Sequence, residues 1–325
     1  MKKNLILFVF IFVFFYGDQF AVAAESGYPT RPIELTVGYS PGAWTDIGAR
    51  LIAESAKKSL GQEIVVVNKP GGAGRLAMTF ASKGKPDGYS LTVVTDSSVV
   101  LEPLREKVPY QPLEDFTFIS QFGVLDFGVV VLPDSPLRTF KDIVDFARAN
   151  PDKLTMGTPG VGSQNHVVFE ALSRLENIKI RLVPFSGAAL AITNLLGGHL
   201  MVASTGPSVY ASHVKAKTLK LLAVLSEERV EGYPDVPTLK ELGFPLIFQG
   251  RHIIVGPKNM ERGIVDKLVQ AFGKAMESPD FIKTAKELET WARKFSSGDE
   301  LKEKLVQTYK RNEELFRKVG MGPKP

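Results

Sequence analysis

The residues best suited to bind a small charged molecule lie between Val37 and Asp46, which read V-G-Y-S-P-G-A-W-T-D. An apolar run precedes this stretch and a helical pattern follows it, which predicts a turn from a first strand into a first helix. A helix start presents unpaired N–H donors and a partial positive charge, which favour a carboxylate or a phosphate. Thr45 or Asp46 is expected to cap this helix by accepting its free N–H groups. The alternative is an ordinary strand–helix turn with a routine cap.

Two more loops rich in Gly or Ser are placed like this turn, at Lys69–Gly74 and Thr158–Gln164. In open parallel sheets, ligands bind outside the carboxyl ends of the strands, at loops that lead into helices. The loop at Lys69–Gly74 belongs to the same predicted lobe as the turn, and the loop at Thr158–Gln164 belongs to a second lobe. A cleft lined by helix starts from both lobes would suit a carboxylate ligand.

Two large side chains stand at the predicted cleft. Trp44 could stack on an aromatic or apolar ligand body, or it could pack on its own lobe. Arg75 opens the second helix and could pair with a ligand carboxylate in bidentate fashion, or it could be solvated.

The sequence contains few residues in patterns typical of a catalytic or cofactor site. The run Gly72–Ala77 fits G-x-G-x-x-A, but it follows what is predicted to be the second strand, and Pro70 interrupts the turn. No G-x-S-x-G is present, and the four histidines stand apart without metal-ligand spacing. The absence of cysteine excludes disulfides, thiolate metal sites and a cysteine nucleophile. We therefore expect a protein that is not an enzyme and that carries no cofactor and no metal.

The order of predicted elements indicates an α/β protein of two units. Strand, helix, strand, helix, strand from Ile33 to Thr95 is the pattern of a parallel sheet covered on both faces, with Glu63–Asn68 as a buried strand. The alternation starts afresh at Phe140 and ends in a helical tail after Glu261. Because no low-complexity linker separates the units, the chain is expected to cross between lobes inside strands. The predicted lobes are residues 25–126 with 248–325, and residues 127–247.

The first residues indicate export. Lys2 and Lys3 precede the apolar run Leu5–Tyr16, and small residues near Ala23 suit cleavage, which predicts a signal peptide at residues 1–24. The apolar run is shorter than the roughly 20 residues that a membrane-spanning helix needs. With no cysteine for a lipid anchor, a freely soluble periplasmic protein is expected. Basic residues are scattered among acidic ones, unlike a nucleic-acid-binding surface.

Taken together, the motifs resemble those of the receptors of tripartite tricarboxylate transporters, the Bug-type periplasmic proteins. The matching residues, in chain order, are Y-P-T-R-P-I at Tyr28–Ile33, S-P-G-A-W-T-D at Ser40–Asp46, V-N-K-P-G-G-A-G at Val67–Gly74, K-P-D-G-Y-S-L at Lys85–Leu91, A-R-A-N-P-D-K-L at Ala147–Leu154, G-V-G-S-Q-N-H at Gly160–His166, L-L-G-G-H at Leu195–His199 and Y-P-D-V-P-T-L-K-E-L-G at Tyr233–Gly243.

This resemblance implies a two-lobed type II periplasmic-binding-protein fold that closes on a small carboxylate. Carried over to this chain, the family's site implies these ligand-binding residues: Ser40, Gly42, Ala43, Thr45 and Asp46 from the first lobe, and Ser163, Gln164, Phe185, Ser186 and Gly187 from the second. The chain departs from the family where Ala43 replaces a second glycine, where Trp44 replaces a small residue, where Arg75 replaces Asn and where Met201 replaces an acidic residue. These departures imply a pocket altered to admit an aromatic or longer carboxylate.

The expected function is a monomeric periplasmic receptor that delivers a carboxylate to membrane permease subunits. The alternative is a receptor that reports ligand occupancy to a membrane sensor kinase. Both hypotheses need the same pocket.

Overall fold

The computed structural model describes residues 27–287 and 295–322. The predicted signal peptide, residues 1–24, lies outside the described residues. Within those residues, no helix is both long enough and apolar enough to cross a membrane.

Eleven strands form two sheets within the described ranges. They are β1 (Ile33–Val37), β2 (Ile64–Asn68), β3 (Ser90–Thr95), β4 (Phe116–Asp126), β5 (Gly128–Val131), β6 (Leu154–Thr158), β7 (Ile180–Pro184), β8 (Val202–Thr205), β9 (Lys220–Val224), β10 (Gln249–Pro257) and β11 (Ser296–Ser297). The first sheet has the order β11-β4-β10-β3-β1-β2, and the second has the order β7-β6-β8-β5-β9.

Both sheets are mixed. In the first sheet β1 pairs in parallel with β2 and β3, as the sequence predicts, whereas β10 pairs antiparallel with β3 and β4. In the second sheet β6 pairs in parallel with β7 and β8, and β5 runs antiparallel to β8 and β9. The expectation that β2 is buried is wrong. It lies at the sheet edge, and Val65 is 50% exposed because no further strand covers it.

Among the described residues, ten α-helices cover the sheets. They are α1 (Trp44–Leu60), α2 (Arg75–Ala81), α3 (Glu102–Arg105), α4 (Phe140–Ala149), α5 (Gln164–Leu175), α6 (Ala188–Leu196), α7 (Pro207–Lys215), α8 (Arg262–Met276), α9 (Pro279–Glu287) and α10 (Gly298–Val319). A π-helix at Ser97–Leu101 runs directly into α3, and a single 3₁₀ turn at Gly72–Gly74 precedes α2. The renewed alternation from Phe140 and the helical tail after Glu261 agree with the sequence analysis. The helical segment from Ser97 to Arg105 was not predicted.

Helices pack on both faces of the first sheet. Ile52 of α1 and Phe272 of α8 belong to one buried cluster with Leu35 of β1. Met78 of α2 and Leu305 of α10 belong to a second cluster, which also contains side chains of the second sheet and its helices. Helix α10 is therefore packed into a core that both sheets share.

The chain passes between the sheets within one residue, because β4 ends at Asp126 and β5 begins at Gly128. This is the strand-borne crossing that the missing linker predicted. On the return, Phe248 donates its backbone N–H to the carbonyl of Leu225 at 2.8 Å, just before β10 begins. The limits of the two lobes at residues 126/127 and 247/248 stay a prediction.

Candidate functional site

The turn between β1 and α1 is held from inside the helix. Gly42 has φ +76°, a left-handed conformation that glycine adopts without strain. Its N–H donates to Oδ2 of Asp46 at 2.9 Å. Ala43 is the N-cap and offers no side-chain acceptor, so the prediction that Thr45 or Asp46 caps the helix is wrong. Both residues lie inside the first turn, and Asp46 reaches back to the loop instead.

Asp46 organises the whole turn. Its buried carboxylate accepts hydrogen bonds from Nε of Arg50 at 3.1 Å and from Nδ2 of Asn68 at 2.8 Å, besides the one from Gly42. The same Asn68 amide donates to the carbonyl of Tyr39 at 3.0 Å. Burial alone would raise the pKa of Asp46, but these hydrogen bonds outweigh burial and hold its pKa below the usual value. The charged form is therefore favoured, and it fixes the path of the loop.

Thr45 is buried beside a histidine of the central strand β10. Its Oγ1 lies 3.3 Å from Nε2 of His252, and the His252 ring stacks on Phe122 with 5.5 Å between ring centroids. Burial lowers the pKa of His252 to about 4, so the imidazole is neutral near pH 7. A neutral ring can hold the hydroxyl of Thr45 without placing a charge beneath the turn. His252 is thus an interior hydrogen-bonding residue.

Trp44 joins the two sheets. The indole Nε1–H donates to Oγ of Ser208, which lies in the first turn of α7 beyond the carboxyl end of β8. The Trp44 ring also packs against the first-sheet cluster that contains Ile52. The side chain therefore packs on its own lobe and contacts the other lobe as well. Contact with a ligand stays a prediction, and Ser208 was not foreseen as part of this cleft.

The second glycine-rich loop packs tightly under the first. A Cβ at Gly38 would lie 2.9 Å from Cα of Gly74, so β1 leaves no room there for a side chain. Tyr39 donates its hydroxyl to the carbonyl of Ala73 at 3.0 Å. Arg75 directs Nη1 to Oε2 of Glu106 at 2.7 Å, so part of its guanidinium is committed to a protein carboxylate. A bidentate contact from Arg75 to a ligand stays a prediction.

The predicted loop of the second lobe caps α5. Ser163 is the N-cap, and its Oγ accepts from the N–H of His166 at 3.2 Å and donates to the carbonyl of Gly160 at 2.8 Å. Gln164 is buried and donates Nε2–H to the carbonyl of Gln249 at 3.0 Å, which ties the loop to β10. Both side chains thus make hydrogen bonds within the protein. Contact of either side chain with a ligand stays a prediction.

Phe185, Ser186 and Gly187 lie beside this loop. The backbone N–H of Phe185 donates to the carbonyl oxygen of Thr158 at 2.9 Å. The backbone N–H of Gly187 donates to the carbonyl oxygen of Pro159 at 3.0 Å. Ser186 is exposed and Phe185 is half-buried. The structure therefore brings the predicted second-lobe residues together at one end of the sheet.

Arg105 is a cation at the cleft that sequence reasoning missed. It ends α3 in the first lobe, and a Cβ at Gly162 in the second lobe would lie 2.9 Å from its Nη1. Its carboxylate neighbour is Glu102, at 3.6 Å. Burial raises the pKa of Glu102, and the charge of Arg105 opposes that rise. Only the i,i+3 spacing of Glu102 and Arg105 could have drawn attention to it, and that spacing is common in helices.

The described part of the chain contains no group of three or more His, Asp or Glu residues placed to hold a metal ion. What the site offers is a glycine-containing turn, two helix starts, hydroxyls and nearby guanidinium groups. This chemistry suits recognition of a small anion by hydrogen bonds.

Comparison with known proteins assigns a family to this arrangement. The family model described as "Tripartite tricarboxylate transporter family receptor" matches residues 48–321. The chain belongs to this family. The receptor is 34% identical over 301 residues to a UPF0065 protein of Cupriavidus necator, which covers 93% of this chain and 91% of the relative.

Solved structures agree with the receptor's fold. The periplasmic binding protein BugD superposes with a TM-score of 0.76 at 28% identity, covering 91% of the receptor and 100% of BugD. MatC from Rhodopseudomonas palustris, solved with bound malate, gives a TM-score of 0.74 at 25% identity and covers 89% of the receptor and 99% of MatC. The receptor has the type II periplasmic-binding-protein fold, which confirms the fold and the family that the sequence motifs implied.

Proposed function

We propose that the receptor binds a small carboxylate between its two lobes and delivers it to a tripartite tricarboxylate-type permease in the periplasm. The observation that carries this proposal is the meeting of both lobes at one cleft, where Trp44 contacts Ser208 and Arg105 approaches Gly162. In a family of tricarboxylate-transporter receptors, such a cleft is the natural place for the ligand. No part of this role requires turnover of the ligand, so we propose a binding protein and not an enzyme.

The ligand's carboxylate would be held mainly by the β1–α1 turn. The N-cap of α1 carries no side-chain acceptor, so a ligand oxygen can take the place that a capping side chain occupies elsewhere. Ser40 and Gly42 are exposed at this turn, and Ala43 is half-buried. The Asp46 network keeps the turn in shape before the ligand arrives, which reduces the ordering cost of binding.

The second lobe would close over the other end of the ligand. We propose that the loop from Gly160 to Gln164 and the exposed Ser186 face the first lobe across the cleft. Arg105 would supply positive charge there. MatC holds malate, which makes dicarboxylates the first class to test. Trp44 stands where it would limit or stack on the ligand body, and we propose that it shifts the preference toward longer or aromatic acids.

A thermal-shift screen of the mature, ligand-free protein tests this proposal. The panel contains di- and tricarboxylates, aromatic acids and amino acids. A true ligand at 100 times its dissociation constant should add about 2.7 kcal/mol of stability, or about 5 °C in Tm. We expect a shift with one class of carboxylate. A folded protein that responds to no acid in the panel would contradict the proposal.

The same screen on Trp44→Ala tests the role of this side chain. We expect a smaller shift and a changed order of preference among the acids, because the ligand loses a wall of the cleft. Phe80→Ala is the matched control, since Phe80 is a 55% exposed aromatic of the same lobe that is not among the predicted site residues. If Trp44→Ala keeps both affinity and preference, Trp44 is not part of the site.

A further inference from the structure

The N-terminal half of helix α10 is attached to the first sheet. The helix begins directly after β11, whose Ser297 pairs with Ser120 of β4, and it packs against β4 as well. Thr308 lies near the middle of the helix, and its Oγ1 accepts a hydrogen bond from Nη1 of Arg251 on β10 at 3.2 Å. Residues 298–308 therefore belong with the first sheet.

The C-terminal half of α10 is attached to the second sheet and its helices. Arg174 of α5 donates from Nη1 to the carbonyl oxygens of Val319 and Gly320, at 3.2 Å and 2.7 Å. Nη1 of Arg311 lies 3.9 Å from Oε1 of Glu227, which follows β9. The end of α10 is thus attached to the unit that carries the predicted second-lobe ligand loop, because that loop leads into α5.

Helix α10 therefore connects the two sheets at a third place, besides the two segments of chain that cross between them. A helix whose halves are attached to two different bodies resists any movement of one body relative to the other. If the bodies move, the helix must bend or lose the contacts at one of its ends. Whether it can bend depends on the residues in its middle.

Two polar side chains weaken the middle of α10. Thr308 donates its Oγ1–H to the carbonyl oxygen of Lys304 at 2.8 Å, and Asn312 donates from Nδ2 to the carbonyl oxygen of Thr308 at 2.8 Å. Both side chains are buried. Thr and Asn are poorer helix formers than Ala or Leu. A side chain that bonds to the carbonyl four residues earlier also destabilises a helix slightly and often bends it.

This middle segment lies beside the place where the chain returns from the second sheet to the first. A cavity with room for about one water molecule is lined by Thr308 and Asn312 of α10 and by Phe248 and Gln249 at the return crossing. When two lobes rotate about their crossing strands, the points closest to those strands move least. A bend at this level therefore lets each half of α10 stay with its own lobe.

We propose that α10 is a third hinge of the receptor, which bends between Thr308 and Asn312 when the lobes move. Residues 298–308 then move with the first lobe, and residues 312–319 move with the second. The bend itself requires only that the lobes move. A further consequence rests on the function proposed above: closure of the second-lobe loop on a carboxylate would shift the C-terminal end of α10, because α5 joins the two.

Hydrogen exchange of the mature, ligand-free protein, measured by NMR at single amides, tests this hinge. In a rigid helix the central amides exchange slowest, because opening begins at the ends. We expect the amides of residues 309–312 to exchange at least about tenfold faster than those of residues 304–307 and 314–317, since each lobe movement opens the middle of the helix. Exchange at residues 309–312 as slow as in the flanking turns would overturn the proposal.

Thr308→Ala separates a hinge residue from a residue that only stabilises the helix. Alanine removes the bond to the carbonyl and favours the helix, so we expect exchange at residues 309–312 to slow by about threefold. Thr79→Ala is the matched control, because Thr79 bonds to the carbonyl oxygen of Arg75 on α2 in the same way, at 2.8 Å, and should leave α10 unchanged.

Unchanged or faster exchange at residues 309–312 in Thr308→Ala would overturn the hinge, because a merely stabilising threonine speeds local opening when it is lost. Neither measurement uses a carboxylate. Their outcome is therefore separate from that of the ligand screen, and either proposal can fail without the other.

Discussion

Replacing Asp46 with alanine should lower the free energy of unfolding by about 3 kcal/mol, because a buried acceptor of several charge-assisted hydrogen bonds is lost. The N–H of Gly42 and the amide of Asn68 would lose this partner, and the turn from Ser40 to Ala43 would loosen. Affinity for the carboxylate ligand should then fall by about tenfold, because the ligand must order the turn itself. Urea unfolding and ligand titration measure the two effects.

Asp142→Ala is the matched control for this change. Asp142 also lies at the third position of its helix and accepts from backbone N–H groups, those of Arg138 and Thr139. It lies on α4, away from the predicted site. We expect about 1 kcal/mol of destabilisation, typical of a lost capping interaction, and unchanged ligand affinity. If Asp46→Ala costs no more than this control, Asp46 does not organise the turn.

Acidification should destabilise the receptor through His252. Its pKa is lowered by burial from the ordinary 6.5 to about 4, so the unfolded chain takes up a proton at a higher pH than the folded protein does. The contribution of the neutral ring to stability is complete above pH 6.5 and is lost as the pH falls toward 4. Between pH 7 and pH 5 the loss should be about 2 kcal/mol.

His252→Gln removes this titration while keeping a neutral polar side chain beside Thr45. Over the same pH range its stability should fall by about 2 kcal/mol less than that of the wild type. His199→Gln, a change at an exposed histidine, should reproduce the wild-type slope. Urea unfolding at each pH gives the free energies. If the free energy of unfolding depends on pH in the same way in the wild type and in His252→Gln, the buried ring does not control the response to acid.

The strands and helices of this fold could be predicted from the sequence because each depends mainly on residues that are close together in the chain. The apolar run before the first turn predicted β1, and the helical pattern after it predicted α1. The loop before α5 was recognised from Gly162 and Ser163, and Ser163 is the N-cap.

The relations between elements were less accessible, because they depend on residues far apart in the chain. An apolar run does not reveal strand direction, so the antiparallel pairing of β10 was not foreseen. The contact of Trp44 with Ser208 joins residues on different sheets. Arg105 follows a π-helix that has no simple periodic signal, and its approach to Gly162 exists only in the folded chain.

The proposed function requires the cleft to recognise the charge of a carboxylate. Isothermal titration of the ligand-free mature protein with the most stabilising acid of the screen, and with the amide of the same acid, measures this recognition. We predict saturable binding of the acid and binding at least about 100-fold weaker for the neutral amide, because the amide cannot accept charge-assisted hydrogen bonds at the turn. Equal affinity for the acid and its amide would show that the cleft does not recognise the carboxylate charge.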